Sequence, residues 1–209
     1  MSSCHTECIS CSHCGRKGDY ILWDSVNVER NPELADKVKD QSLFKRTCPH
    51  CGYEERIWYP CLYHDMKRQF MVYFCDDPKL DVPRDLKGCG YLLRRTDTPE
   101  EFIEKILVLE LEIDDRAVAM MKPFVEADLE GKGAPPTTEI YFRGVDRGRF
   151  IFECFDKGQC GGYVGYDMGR FYNYCVTQCL GKPVRDVFQT IDRDWAERQL
   201  KRCSCQCRD

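Results

Sequence analysis

The chain has 209 residues, a formal net charge of −4 and an ordinary globular balance of apolar and charged side chains, which excludes wholesale disorder and allows one large domain or two small ones. Residues 1–97 are balanced in charge, and residues 98–209 hold the acidic excess. No segment is strongly basic, which argues against non-specific binding to nucleic acid or anionic membrane, and no apolar run is long enough to span a bilayer.

The start, Met1-Ser2-Ser3-Cys4-His5-Thr6-Glu7-Cys8, has no apolar stretch of the kind that directs export. The expected location is the cytoplasm. There the sixteen cysteines are expected as metal ligands and free thiols rather than disulfides.

Along the chain, a first knuckle, Cys11-Ser12-His13-Cys14-Gly15, precedes a strand-like run from Tyr20 to Asn27. Asn31 and Pro32 read as the cap and first residue of a short helix, with Leu34, Val38 and Leu43 packing from one side. The second knuckle is Cys48-Pro49-His50-Cys51-Gly52, followed by strand-like runs at 53–59 and 69–75. Residues 76–97 read as a connection with a short ordered piece at 89–93. Thr98, Pro99 and Glu101 form a capping box for the next helix, and Asp114 or Asp115 restarts one that contains Pro123. A hairpin at 139–154, a third strand at 162–166 and helices near 169–180 and 190–201 complete the reading. The fold class expected is α+β, a zinc-ribbon-like β-rich part over 1–97 and a helical and antiparallel-strand part over 98–209.

The knuckles carry the strongest chemical signal. A Cys-x-x-Cys turn presents two sulfurs to one point, and the Gly behind it can take positive φ so that the backbone wraps the metal. Two such turns predict one structural zinc held by Cys11, Cys14, Cys48 and Cys51. Four protein ligands close the site, so it stabilises folding and does not catalyse. The competing reading is a thioredoxin-like redox motif, which lacks its βαβ context here. His13 and His50 are expected beside the site rather than as ligands.

The residues Trp23-Asp24-Ser25-Val26-Asn27, Asn31-Pro32-Glu33-Leu34, Leu43-Phe44, Cys48-Pro49-His50-Cys51-Gly52 and Leu62-Tyr63-His64-Asp65-Met66 resemble the bacterial CpXC-domain family in type and order. The segments 102–106 and 111–116 resemble its C-terminal extension. The resemblance implies metal binding and a bacterial origin and adds no reaction. The chain departs from the family pattern at Ser12, where Pro is usual, and in its many extra cysteines.

Other candidates have plainer alternatives. Cys203, Cys205 and Cys207 cluster at one end of the chain, and Cys4 and Cys8 with His5 at the other. They read as frayed tails carrying free thiols, the alternative being a second zinc site that joins them. Cys175 and Cys179 read as small buried hydrophobes, the alternative being a metal site shared with Cys154 and Cys160. His64 beside Asp65 is the best general-base pair in the sequence, although strand neighbours point to opposite faces. Asp114 and Asp115 read as a helix start before a cation site. Tyr163, Tyr166, Phe171, Tyr172 and Tyr174 read as core or partner-facing packing before a base-stacking platform.

These readings lead to a non-catalytic zinc-binding interaction module with a protein partner. An enzyme built on His64 and Asp65 or on a second metal site is one alternative. A nucleic-acid-binding ribbon using Arg16, Lys17, Lys45, Arg46 and Arg56 is the other.

Overall fold

The computed structural model describes residues 2–77, 86–136 and 138–206, with side chains to Cys203 in the last helix. The protein is α+β and divides into two compact units, Met1–Ile103 with Asp186–Phe188, and Glu104–Arg185 with Gln189–Asp209.

The first unit begins with β1 (Ser3–Ser10) and β2 (Lys17–Asn27), which pair antiparallel. The start of the chain is therefore a strand and not a frayed tail. The sequence hides it because β1 is exposed along nearly its whole length, so no apolar alternation marks it, and main-chain pairing with β2 holds it in place, helped by polar contacts of Ser3 with Ser25 and of His5 with Asp24. The helix α1 (Pro32–Lys39) has Pro32 at its start and buries Leu34 and Val38. Asn31 precedes it, but makes no side-chain cap and instead hydrogen-bonds Glu33. A 3₁₀ turn at Ser42–Phe44 leads into the short β3 (Lys45–Thr47) and β4 (Glu54–Arg56), a separate antiparallel ribbon. The strand expected over 53–59 is thus only three residues long.

β5 (Cys61–Asp65) and β6 (Phe70–Phe74) alternate strictly between buried and half-buried positions, as period-2 side chains must when one face packs on a core. β7 (Leu92–Thr96) follows. The sheet order is β1-β2-β5-β6-β7, with β2/β5 and β6/β7 parallel, and Phe188 from late in the chain lies beside this sheet against Tyr73. Phe44, Phe74 and Phe102 make mutual ring contacts in the core of this unit.

The division between units falls inside α2 (Pro99–Glu110), where the Thr98 hydroxyl accepts the Glu101 N–H as the capping box requires. In the second unit α3 (Asp115–Gly131) starts on Asp114, whose carboxylate accepts the Arg116 N–H. The three-stranded sheet β8 (Thr138–Asp146), β9 (Arg149–Asp156) and β10 (Gln159–Tyr166) has β9 in the centre. Val118, Met121 and Val125 of α3 share a core with Phe142, Phe150 and Phe152 of this sheet. A smaller core joins Ala117 and Met120 to Cys175, Ile191 and Ala196. Buried charges here are matched. Glu104 accepts the Phe142 N–H at 2.7 Å and meets Lys122. Lys105 pairs with Asp115 at 3.2 Å, both almost fully buried.

α4 (Gly169–Tyr174) widens at its end into a π-type turn over Cys175–Cys179. The last helix, α5 (Arg193–Gln206), runs past the expected end near 201 and includes Cys203.

Candidate metal centre

Each knuckle is the turn of a β-hairpin. Cys11 and Cys14 lie between β1 and β2, and Cys48 and Cys51 between β3 and β4. The two turns repeat one hydrogen-bond pattern. Gly15 N–H donates to Cys11 O and Gly52 N–H to Cys48 O, each at 2.9 Å. Cys11 N–H donates to Arg16 O at 2.9 Å and Cys48 N–H to Tyr53 O at 2.8 Å. Gly15 and Gly52 stand at φ 71° and 73°, a conformation a side chain would strain.

All four sulfurs lie within 4.8 Å of one another. Cys11 and Cys51 are 3.8 Å apart, and Cys14 and Cys48 3.7 Å. Two sulfurs bonded at about 2.3 Å to one tetrahedral ion would stand about 3.8 Å apart, so the spacing fits a bound metal. Cys11 and Cys48 are buried, Cys14 is half-buried and Cys51 is exposed.

The electrostatics also fit a cation. Burial pushes the Cys48 thiol up, but the N–H groups of His50 and Cys51 and the neighbouring thiols outweigh it and bring its pKa down to about 6. Cys51 gains an N–H bond from Tyr53, yet burial and the crowding thiols drive its pKa to about 12. A cluster this tight ionises one sulfur readily and resists ionising the next, and a divalent cation removes that resistance.

Neighbouring side chains brace the two hairpins against each other. His50 Nε2 is 2.9 Å from Lys17 O, and His13 stacks on Tyr53. Arg46 donates to Ser10 O at 2.8 Å and to Glu55 Oε1 at 2.6 Å, and its guanidinium lies over the Tyr20 ring. Neither histidine contributes to the four-thiol cluster.

The CpXC protein family matches residues 9–122, more than half of the sequence. The chain belongs to the CpXC family. No curated protein and no solved structure matches it. Among the described residues of this CpXC protein, the knuckle cluster is the one place where three or more Cys, His, Asp or Glu ligand atoms converge.

His64 and Asp65 are not brought together as a catalytic pair. The Asp65 carboxylate is buried and accepts from the Arg68 N–H and guanidinium, both at 2.7 Å. His64 lies near the Asn27 amide and the Tyr91 hydroxyl, and burial pulls its pKa below the ordinary imidazole value. Of the five candidate nucleic-acid contacts, Arg46 is consumed internally, while Arg16, Lys17, Lys45 and Arg56 are exposed. Asp114 and Asp115 are neutralised by Arg116 and Lys105, which leaves a helix start and no cation site. Tyr163 and Tyr174 are exposed, and Tyr172 packs on Phe150.

The expectations of a free thiol at Cys203 and of a simple buried hydrophobe at Cys179 are both overturned. Cys203 is buried on α5 and disulfide-bonded to Cys179, with a Cα separation of 5.5 Å. Cys207 and the side chain of Cys205 lie outside the described residues. Cys175 is fully buried, as a small hydrophobe would be, and burial pushes its thiol up to about 11. Cys4, Cys8 and Cys160 are exposed free thiols. The disulfide borders an apolar cavity of about 390 Å³ lined by Met120, Phe124, Phe171, Tyr174 and Leu200. Neither feature has a local sequence signal, because Cys179 and Cys203 stand 24 residues apart on separate helical segments.

Proposed function

We propose that this CpXC protein is a non-catalytic interaction module, with Cys11, Cys14, Cys48 and Cys51 holding one zinc ion and a protein as its partner. The convergence of four thiols on two hairpin tips carries the reading. An all-sulfur tetrahedral set suits zinc, and four protein ligands leave no position for a water or substrate. The metal's role is then to clamp two short hairpins that bury little apolar surface of their own.

The charge distribution supports a protein partner over nucleic acid, since the net charge is −4 and Arg46 is already neutralised by Glu55. The separation of His64 from Asp65 removes the motive for an enzyme at that place. The free thiols suit a reducing cytoplasm, where the Cys179–Cys203 bond would be the exception.

The test is metal analysis of protein purified without chelators, followed by in-cell crosslinking and reconstitution of the crosslinked pair from pure components. One zinc per chain and a reconstituted protein complex are expected. Absence of zinc defeats the metal assignment. Sub-micromolar nucleic-acid binding with a steep salt dependence, in place of a protein complex, defeats the partner assignment.

A further inference from the structure

The β1–β2 hairpin leaves part of one strand edge without a partner. Cys11 N–H donates to Arg16 O, which fixes that pair as hydrogen-bonded. Antiparallel ladders alternate bonded and non-bonded pairs, so Ile9–Gly18, Glu7–Tyr20 and His5–Leu22 are the bonded ones in the observed register. Lys17, Asp19 and Ile21 therefore turn their main-chain groups away from β1. Two side-chain contacts agree. His50 reaches Lys17 O at 2.9 Å, and Tyr59 Oη accepts the Trp23 N–H at 3.4 Å. β5 pairs with β2 only from Ser25 onward. Between His50 and Tyr59, the N–H and C=O groups of Asp19 and Ile21 have no partner among the described residues.

This stretch lies along a cleft. Asp19–Leu22 form one wall, and Leu43–Thr47, Ile57 and Tyr59 form the other, around a volume of about 330 Å³. An extended chain advances about 3.3 Å per residue, with about 4.8 Å between strands and about 10 Å between packed faces, so the cleft holds roughly two residues. That length matches the open edge. The Ile21 side chain is 64% exposed and offers an apolar contact beside it. Asp19 and Lys45, one on each wall, are exposed, and neither closes an ion pair among the described residues. The second knuckle packs on β2 one residue before this wall, where Pro49 stands so close to Gly18 that a Cβ there would lie 3.2 Å from Pro49 Cγ.

We propose that the open edge of β2 at Asp19 and Ile21 receives an extended segment of a partner protein as an added strand. This rests on the protein-partner reading above and names its site. The main chain of the segment pairs with Asp19 and Ile21, which supplies affinity with little sequence demand. Asp19 and Lys45 complement a segment with one basic and one acidic flank. A solvated strand edge on an open surface would need no occupant, but this edge faces a walled cleft of strand dimensions.

The test uses the full-length, zinc-loaded protein and a displayed library of linear heptapeptides. A synthetic peptide from the enriched set is titrated by fluorescence anisotropy. Ile21→Pro deletes one outward N–H without touching a bond to β1, and proline is tolerated on strand edges. It is expected to weaken binding about tenfold, and Ile21→Ala no more than about twofold. N-methylation of alternate amides of the peptide guards against a misfolded variant. One alternating set is expected to abolish binding to the unaltered protein, and the other to leave it. No enrichment overturns the proposal. Equal binding to Ile21→Pro, or indifference to both methylated sets, also overturns it, while leaving a protein-binding module that acts elsewhere. Failure of the in-cell crosslinking to yield any protein complex would instead defeat the wider reading.

Discussion

Cysteines of the first unit meet because two hairpin turns carry them, whereas Cys179 and Cys203 of the second meet because a π-type turn and a helix bring them together. The first arrangement is local in design. Each Cys-x-x-Cys-Gly turn places its two sulfurs through hydrogen bonds that span no more than five residues, and only the meeting of two turns is long-range. It sits on strands of eight, eleven, three and three residues, of which β1 and β4 bury no residue fully. The second arrangement sits beside an apolar core that already joins α3, Cys175 and α5. On the proposed reading a metal clamp would replace missing core in one unit, whereas a crosslink adds to existing core in the other.

The largest effect is expected at the proposed clamp. Cys48→Ser removes one of four ligands, and apparent zinc binding energy in small sites is on the order of 10–16 kcal/mol, comparable with the whole stability of a domain. Loss of metal and of amide hydrogen-exchange protection across β1–β4 is the expected outcome, read by exchange mass spectrometry. Protection retained at those strands would mean the hairpins hold without the clamp.

The next largest effect falls on the buried ion pair of the second unit. Lys105→Met leaves Asp115 buried without its cation, a loss of about 3–5 kcal/mol by analogy with other buried pairs. The double variant Lys105→Met with Asp115→Leu should recover much of that in thermal melting. No recovery would show that the pair is not the source of the loss.

A smaller effect is expected from the crosslink. Closing a loop of 24 residues' separation contributes about 3 kcal/mol through the unfolded state. Cys203→Ser should therefore melt several degrees lower and become insensitive to reductant, with metal content unchanged. The exposed Cys160→Ser should stay within about 0.5 kcal/mol of the unaltered protein. If Cys203→Ser loses metal, the two cysteine systems are not separate.

What could be read from the sequence follows the same division between local and distant. The knuckles, the Thr98 capping box, the Asp114 helix start and the turn of the β8–β9 hairpin are each decided within about five residues, and all are present. β1 escaped because Ser3–Ser10 is held by main-chain bonds with both faces wet. Asn31 precedes its helix, yet its Nδ2 donates to Glu33 and its Oδ1 accepts no backbone N–H of the first turn, so a local side-chain contact stands where the cap was expected. The pairing of Cys203 with Cys179 depends on where α5 docks, which no local pattern encodes. His64 and Asp65 adjoin in sequence but alternate across a strand, and their partners Tyr91 and Arg68 come from different directions.

The central claim is a closed, four-thiolate zinc site at Cys11, Cys14, Cys48 and Cys51. X-ray absorption at the zinc edge of the purified protein tests it most directly. The account predicts one zinc per chain with four sulfur neighbours at about 2.3 Å and no nitrogen or oxygen neighbour. A shell containing nitrogen or oxygen, or a preparation that holds no zinc, would contradict it.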